Sequence, residues 1–229
     1  NVGAITVGTT ALTFQQYHEW PWDLILTVDN SAGSRADYPT IQAAINAATV
    51  DSNTVILIAP GLYQEALTLK AQVHLIGMGG PEGVGAEHTY NYNSQVTVRC
   101  TATEGYTAVA YTGNGRVRVQ NIGFYLDVSP APSSALKLID VTGSSVAGAW
   151  SWLQFDGCSF RFRYTHAPTC SFALVEQPAS TIPVSMESCF ASLLLLAGTP
   201  TYANSAFWTV NAKACLTNCR MFVTSASGA

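Results

Sequence analysis

Residues 37 to 79 read DYPTIQAAINAATVDSNTVILIAPGLYQEALTLKAQVHLIGMG, and the succession of patterns within them decides the fold. A short helix comes first. Ile41, Ala44, Ile45 and Ala48 fall at i, i+3, i+4 and i+7, one apolar stripe on a 3.6-residue period. Thr40 is the expected N-cap, because its hydroxyl can satisfy an orphan N–H at the helix start. Pro39 disfavours any earlier beginning. After Asp51-Ser52-Asn53 the pattern turns to strand: Val55-Ile56-Leu57-Ile58 is a continuous apolar run, ended by Pro60-Gly61. Glu65 to Leu69 and Val73 to Ile76 are expected as two further short strands, the second closed by Gly77.

Taken together, these pieces resemble the N-terminal opening of pectin methylesterases and other right-handed parallel β-helix proteins of the pectin-lyase-like class. In that family a D-(F/Y)-x-T-I-Q helix caps the open end, and a strand, a P-G-x-Y-x-E turn and an L-I-G-x-G strand make the first coil. Here they read Asp37-Tyr38-Pro39-Thr40-Ile41-Gln42, Pro60-Gly61-Leu62-Tyr63-Gln64-Glu65 and Leu75-Ile76-Gly77-Met78-Gly79. The resemblance covers 43 residues. It implies an all-β fold, a right-handed parallel β-helix (solenoid) with a short N-terminal capping α-helix. It does not imply a reaction, since many functions share this coil.

Working outward, the chain repeats itself from Gln95 on, as a solenoid must. One strand class begins Thr107-Ala108-Val109, Ser134-Ala135-Leu136, Ser171-Phe172-Ala173 and Ser205-Ala206-Phe207. A second follows each: Val119 to Phe124, Phe155 to Phe160, Met186 to Phe190 and Leu216 to Met221. Aligning the second class places Ile122, Cys158, Cys189 and Cys219 at one coil position, with spacings of 36, 31 and 30 residues. With the opening segment this makes about five coils. Residues at one coil position lie about 4.8 Å apart with parallel side chains, a poor approach for a disulfide torsion. Cys158, Cys189 and Cys219 are therefore read as a buried small-hydrophobe ladder. The pair Cys215 and Cys219 has no second pair or histidine to complete a zinc site, so no metal and no cofactor is expected.

Composition bounds the rest. The 229 residues are 48% hydrophobic and only 10% charged, against roughly 25% charged in an ordinary soluble protein. That suits a chain packed against neighbours, or one that works outside a cell. The net charge of −4 leaves no electrostatic footprint for nucleic acid. No apolar run approaches the ~18 residues of a membrane span. The chain starts at Asn1 without a secretory signal, which gives the expectation that an initiator or leader was removed or left out.

Residues 1–28 precede the resemblance and are read as an N-terminal arm, with 29–229 as a single β-helix domain. Within the arm, Ala4-Ile5-Thr6-Val7 and Ala11-Leu12-Thr13-Phe14 alternate as strands do. The most aromatic stretch of the chain then runs from Tyr17 through His18, Glu19, Trp20 and Pro21 to Trp22. Tyr17, His18, Trp20 and Trp22 are the candidate partner-binding residues, because such side chains anchor interfaces. The alternative is that the segment folds back over the first coil, since an open solenoid end needs cover. The polar run Pro81 to Asn93 is read as a loop leaving the first coil.

The resemblance also says where chemistry belongs. Pectin methylesterases use two carboxylates, oxyanion-binding glutamines and an arginine, in motifs Q-A-(V/L)-A-L-R, Q-D-T-L-Y, D-F-I-F-G and G-R-P-W. The first becomes Ser133-Ser134-Ala135-Leu136-Lys137 here. Arg163-Tyr164-Thr165-His166 stands in place of the second, and the last two have no counterpart. Each lost group removes nucleophile, acid or oxyanion stabilisation, so no catalytic residue is assigned. Asp127, Asp140 and Asp156, with Arg161, Arg163 and His166, remain as candidates for a lyase-like site. Arg116, Arg118, Arg161 and Arg163 are candidates for a basic strip.

Two expectations follow. The first is a non-enzymatic structural β-helix, a virion component such as a phage or viral capsid decoration protein or a tail or fibre protein. It would act through protein neighbours, as a homo-oligomer and candidate homotrimer. The second is a secreted carbohydrate-active protein, a polysaccharide lyase or pectinesterase relative binding or cleaving acidic polysaccharide. Convergence of Asp127, Asp140, Asp156 or His166 in one groove would distinguish it.

Overall fold

The structure, a computed structural model, describes residues 22–49, 52–79, 96–102, 107–128, 136–143, 151–164, 172–177, 182–195, 205–210 and 214–225. It is mostly strand, with one short helix. Strand β1 (Leu24–Val28) and helix α1 (Ile41–Ala47) come first. Five rounds of three strands follow in a fixed order. These are β2 (Thr54–Ile58), β3 (Gly61–Tyr63) and β4 (Leu67–Leu69), then β5 (Val73–Gly77), β6 (Val96–Ala102) and β7 (Thr107–Tyr111). Next come β8 (Arg116–Gln120), β9 (Ile122–Val128) and β10 (Leu136–Val141), then β11 (Trp152–Asp156), β12 (Ser159–Tyr164) and β13 (Phe172–Gln177). The fifth round is β14 (Val184–Glu187), β15 (Phe190–Leu195) and β16 (Ser205–Val210), and β17 (Ala214–Thr217) and β18 (Arg220–Ser225) begin a sixth.

Each round contributes one strand to each of three sheets. Sheet A runs β1-β2-β5-β8-β11-β14-β17, sheet B runs β3-β6-β9-β12-β15-β18 and sheet C runs β4-β7-β10-β13-β16. Among the described strands every ladder is parallel, between one round and the next. The last five residues of the segment read as an arm are thus the first strand of sheet A.

Alternation along each strand divides core from surface. In β8, Val117 and Val119 are buried between Arg116, Arg118 and Gln120; in β11, Leu153 and Phe155 are buried between Trp152, Gln154 and Asp156. The inward side chains form one core from Val28 to Ala191. At its centre Phe124 stacks on Phe160 with centroids 5.6 Å apart, and Phe155 meets Phe160 edge-on at 5.3 Å.

The corner between sheets A and B is sharp. It is made by Asn121, Gly157, Ser188 and Asn218, with φ of 55°, 59°, 52° and 57°. These left-handed residues stack: the Asn121 N–H donates to Asp156 O, Gly157 N–H to Glu187 O and Ser188 N–H to Thr217 O, at 2.9–3.0 Å. What looked in sequence like one strand class, Val119 to Phe124 and its repeats, is therefore the end of a sheet A strand, a corner and the start of a sheet B strand.

The residue after each corner faces inward. Ser159 pairs with Gly123 and Phe190, and Phe190 with Arg220, so Ile122, Cys158, Cys189 and Cys219 stack as one ladder. No disulfide joins the described cysteines. Each ladder thiol donates to a backbone carbonyl of the previous round: Cys158 to Val119 O, Cys189 to Phe155 O and Cys219 to Met186 O, at 3.3–3.5 Å. The Cys158 thiol beside it, together with burial, pushes the pKa of Cys189 up, and burial pushes that of Cys219 up. A raised pKa favours the protonated thiol over the reactive thiolate at Cys189 and Cys219.

The opening motif is held by its own polar groups. Thr40 caps α1 by accepting from the Ala43 N–H at 3.3 Å. Glu65 accepts from the N–H groups of Ile41 and Gln42, both at 2.8 Å. The Gln42 amide oxygen accepts from Thr68 N–H at 2.7 Å, fastening the helix to β4. Lys70 donates to Ala48 O at the far end of the helix. Ile41, Ala44, Ile45 and Ala48 are buried in the core, so α1 closes the top of the stack.

Candidate functional surfaces

The outward rows of the sheets place the candidate residues. On sheet A, register puts Ile25, Val55, His74, Arg118, Gln154, Ser185 and Cys215 in one row, and Thr27, Leu57, Ile76, Gln120, Asp156, Glu187 and Thr217 in the next. His74 is only 5% exposed although its side chain points away from the core. Its Nδ1 accepts from the Arg118 N–H at 3.1 Å, which leaves the ring proton on Nε2, donated to Asn53 Oδ1 at 2.8 Å. Burial, with Arg118 and Arg116 beside it, lowers its pKa from 6.5 to about 4. Trp22 covers this ring, centroids 4.7 Å apart at 50°. Asp23 clasps Asn53 next to it, donating its N–H to Asn53 O and accepting from the Asn53 N–H through Oδ2.

Of the four candidate partner-binding residues, Trp22 is thus half-buried against the molecule's own His74. Tyr17, His18 and Trp20 lie outside the described residues, as do the loop from Pro81 to Asn93, Cys170 and His166. His74 and Asn53 escaped the sequence reading, because nothing local links them to Trp22, which lies 52 and 31 residues earlier in the chain.

The three candidate aspartates go to three different sheets. Asp127 on β9, in sheet B, is paired with Arg99, whose Nε donates at 2.6 Å. Asp156 on β11, in sheet A, accepts from Arg118 Nη2 and Gln120 Nε2, both at 2.9 Å. Asp140 on β10, in sheet C, lies 3.4 Å from Lys137 Nζ, and its Oδ1 is buried with no hydrogen-bond partner. They do not converge. The register does set Glu176 of β13 beside Asp140. That neighbour was legible as a repeat, Leu138-Ile139-Asp140 and Leu174-Val175-Glu176, and was missed because the strands were aligned by their Ser-Ala starts. Register instead puts Phe172 beside both Leu136 and Ser205.

The expected basic strip is likewise split by the corner. Arg116 and Arg118 lie on sheet A, while Arg161 and Arg163 lie on β12 of sheet B. Arg161 sits over the Tyr125 ring, 5.5 Å from its centroid, and Arg163 takes the register position beside Asp127. Among the described residues no group of three or more His, Cys, Asp or Glu can hold a metal ion, and no helix is long and apolar enough to cross a membrane.

At the top of the stack, Ile25 on β1, Leu57 on β2 and Ile76 on β5 face outward on adjacent strands of sheet A, with Met78 following Ile76. Ile25 is 46% and Met78 45% exposed. The same end of sheet B carries the exposed Leu62.

Comparison with known proteins adds little to this geometry. No protein-family model matches the chain, and no curated protein matches it. A solved structure described as "Crystal structure of escherichia coli ybhc" aligns with 96% of this chain and 89% of its own, at 12% identity and a TM-score of 0.29. That degree of likeness carries no argument about fold or activity.

Proposed function

We propose that this chain is a right-handed parallel β-helix with a structural, non-enzymatic role, docking on other protein chains in a larger assembly of the virion kind, as a capsid decoration or tail or fibre protein. The right hand is supported by the near-universal handedness of crossovers between parallel strands. One observation carries the function: the outward apolar group of Ile25, Leu57, Ile76 and Met78 on the first strands of sheet A. Ile25 and Met78 are exposed and Leu57 and Ile76 half-buried, and outward apolar side chains gathered at one end of a sheet mark an interaction site. The low charge of the chain and the dispersal of its aspartates over three sheets agree with it.

Light scattering coupled to size-exclusion chromatography tests the reading. The full chain, a chain lacking residues 1–21 and the double variant Ile25→Lys/Met78→Lys are compared. The expected result is a homo-oligomer, a trimer on the reading above, for the full chain and a folded monomer for the double variant. The deletion stops short of Trp22 and β1, so the sheet is kept. A monomer in every case, or association that ignores the double variant, overturns the proposal.

A second reading has one observation in its favour, the side-by-side register of Asp140 and Glu176 with the unpartnered Asp140 Oδ1. Glycoside cleavage uses a pair of carboxylates. Release of oligosaccharides from polygalacturonate that is abolished by Asp140→Asn would move this reading ahead.

A further inference from the structure

The outer face of sheet B differs in charge from the rest of the molecule. The chain has seven arginines and a net charge of −4. Four of those arginines, Arg99, Arg161, Arg163 and Arg220, occupy positions on sheet B that alternate with its inward residues, and no lysine lies on its strands. Asp127 is the one acidic residue among those strands. Arg99, Tyr125 and Arg161 form a single row across β6, β9 and β12. Arg99 and Arg220 are exposed, while Tyr125 and Arg161 are half-buried against each other. The outward Ser159 of β12 and Phe190 and Ser192 of β15 are buried, so the open part of the face is the β6–β9 side, with Arg161 at its edge and Arg220 beyond.

We propose that this row is a second interaction surface, distinct from the apolar cluster of sheet A, and that it takes an acidic protein surface. Residue type argues for protein. Interface centres are enriched in arginine and tyrosine and depleted in lysine, and arginine and tyrosine are among the commonest hot-spot residues. Arg161 is held over the Tyr125 ring, 5.5 Å from its centroid, and a planar guanidinium is the group that suits a carboxylate's two oxygens. Arg99 is aligned on the same row by Asp127. A partner carboxylate would share Arg99 with Asp127 and meet Arg161 from the open side. The surface is charge-complementary to acidic chains, so its contribution is to approach and specificity and is sensitive to salt. The sheet A cluster, being apolar, is not.

The test uses the full chain and a fluorescein-labelled poly-L-glutamate as the acidic probe, with heparin and a DNA duplex as comparison ligands, read by anisotropy. Poly-L-glutamate is expected to bind, with affinity falling about tenfold or more between low and high salt. Arg99→Gln/Arg161→Gln is expected to weaken it by about tenfold or more. Arg116→Gln, which removes one charge from sheet A, is expected to leave it unchanged. Circular dichroism and the melting temperature confirm that each variant is folded. Three outcomes overturn the proposal: no binding of poly-L-glutamate, equal weakening by Arg116→Gln, or binding of heparin or DNA without binding of the acidic polypeptide. Because the sheet A variants and the sheet B variants are read separately, failure of one surface leaves the other standing.

Discussion

Lowering the pH should unfasten the first rounds of the stack through one side chain, His74. The ring is 5% exposed, its Nδ1 accepts from Arg118 N–H, and Arg116 and Arg118 are the nearest cations. A proton on Nδ1 would cost that hydrogen bond, bury a charge under Trp22 and face two guanidiniums. The folded pKa is therefore lowered to about 4 from an ordinary 6.5. Between these values the unfolded chain binds the proton and the folded chain does not, so stability rises with pH. The contribution is fully present above the unfolded value and lost as pH falls toward the folded one. Each pKa unit is worth about 1.4 kcal/mol, so His74 should cost about 2 kcal/mol between pH 7 and pH 5 and about 3 kcal/mol by pH 4. Urea unfolding across this range measures the total slope, which also contains the carboxylates. Asp29 and Asp37 have pKa values lowered by hydrogen bonds from Ser31 and Thr27, and their share of the slope lies below the ordinary carboxylate range. The informative quantity is the difference from His74→Gln, whose amide can still donate to Asn53 and has no proton to gain. The wild type should lose about 2 kcal/mol more than the variant between pH 7 and pH 5. Parallel pH profiles for the two proteins would refute the argument, as would a His74 ring signal that titrates near pH 6.5 in NMR spectra of the folded chain.

Two further perturbations test the opening rounds. Glu65→Ala removes both acceptors of the Ile41 and Gln42 N–H groups, so it should destabilise by about 1–2 kcal/mol in urea unfolding, with Glu65→Gln intermediate; no change would mean that water replaces the carboxylate at no cost. At Gly77 a Cβ would stand 2.4 Å from the Asn121 backbone oxygen. Gly77→Ala should therefore cost about 1–3 kcal/mol by forcing adjacent rounds apart, and an unchanged melting temperature would show that the rounds yield freely there.

These two sites also explain why the top of the molecule was legible in sequence. Thr40, Gln42 and Glu65 act on one helix: Glu65 and Thr40 cap it and Gln42 ties it to β4. Asp37 reaches back to Thr27 and Gly77 admits the next round. The helix partners all lie within one 43-residue stretch, so a local motif can announce them. The Cys158–Cys189–Cys219 ladder was legible for a related reason, since in three successive rounds the cysteine sits just after the corner and repeats with it.

What sequence could not deliver is which sheet a residue enters, because that depends on where the chain turns. The turning residue is Asn121, Gly157, Ser188 or Asn218 in successive rounds. Three different residue types satisfy one left-handed conformation: glycine has no Cβ to clash, and asparagine tolerates it through its short polar side chain. A corner with no fixed letter is invisible to pattern, and the strands on its two sides read as one. That single ambiguity joined Arg116 and Arg118 to Arg161 and Arg163 as one candidate strip. Once the corner is placed, four arginines gather on sheet B, two remain on sheet A with Asp156, and the apolar cluster of β1, β2 and β5 is left to itself at one end. The separation of Arg116 and Arg118 from Arg161, Arg163 and Arg220 is thus a consequence of a few backbone dihedrals rather than of any motif. Moving a corner by one residue would reverse every side chain in the strand that follows, exchanging Arg161 on the surface for Phe160 and Phe162 in the core. The stacked N–H to carbonyl bonds of Asn121, Gly157 and Ser188 oppose that slip, and so the charged face of sheet B is only as well defined as this corner ladder.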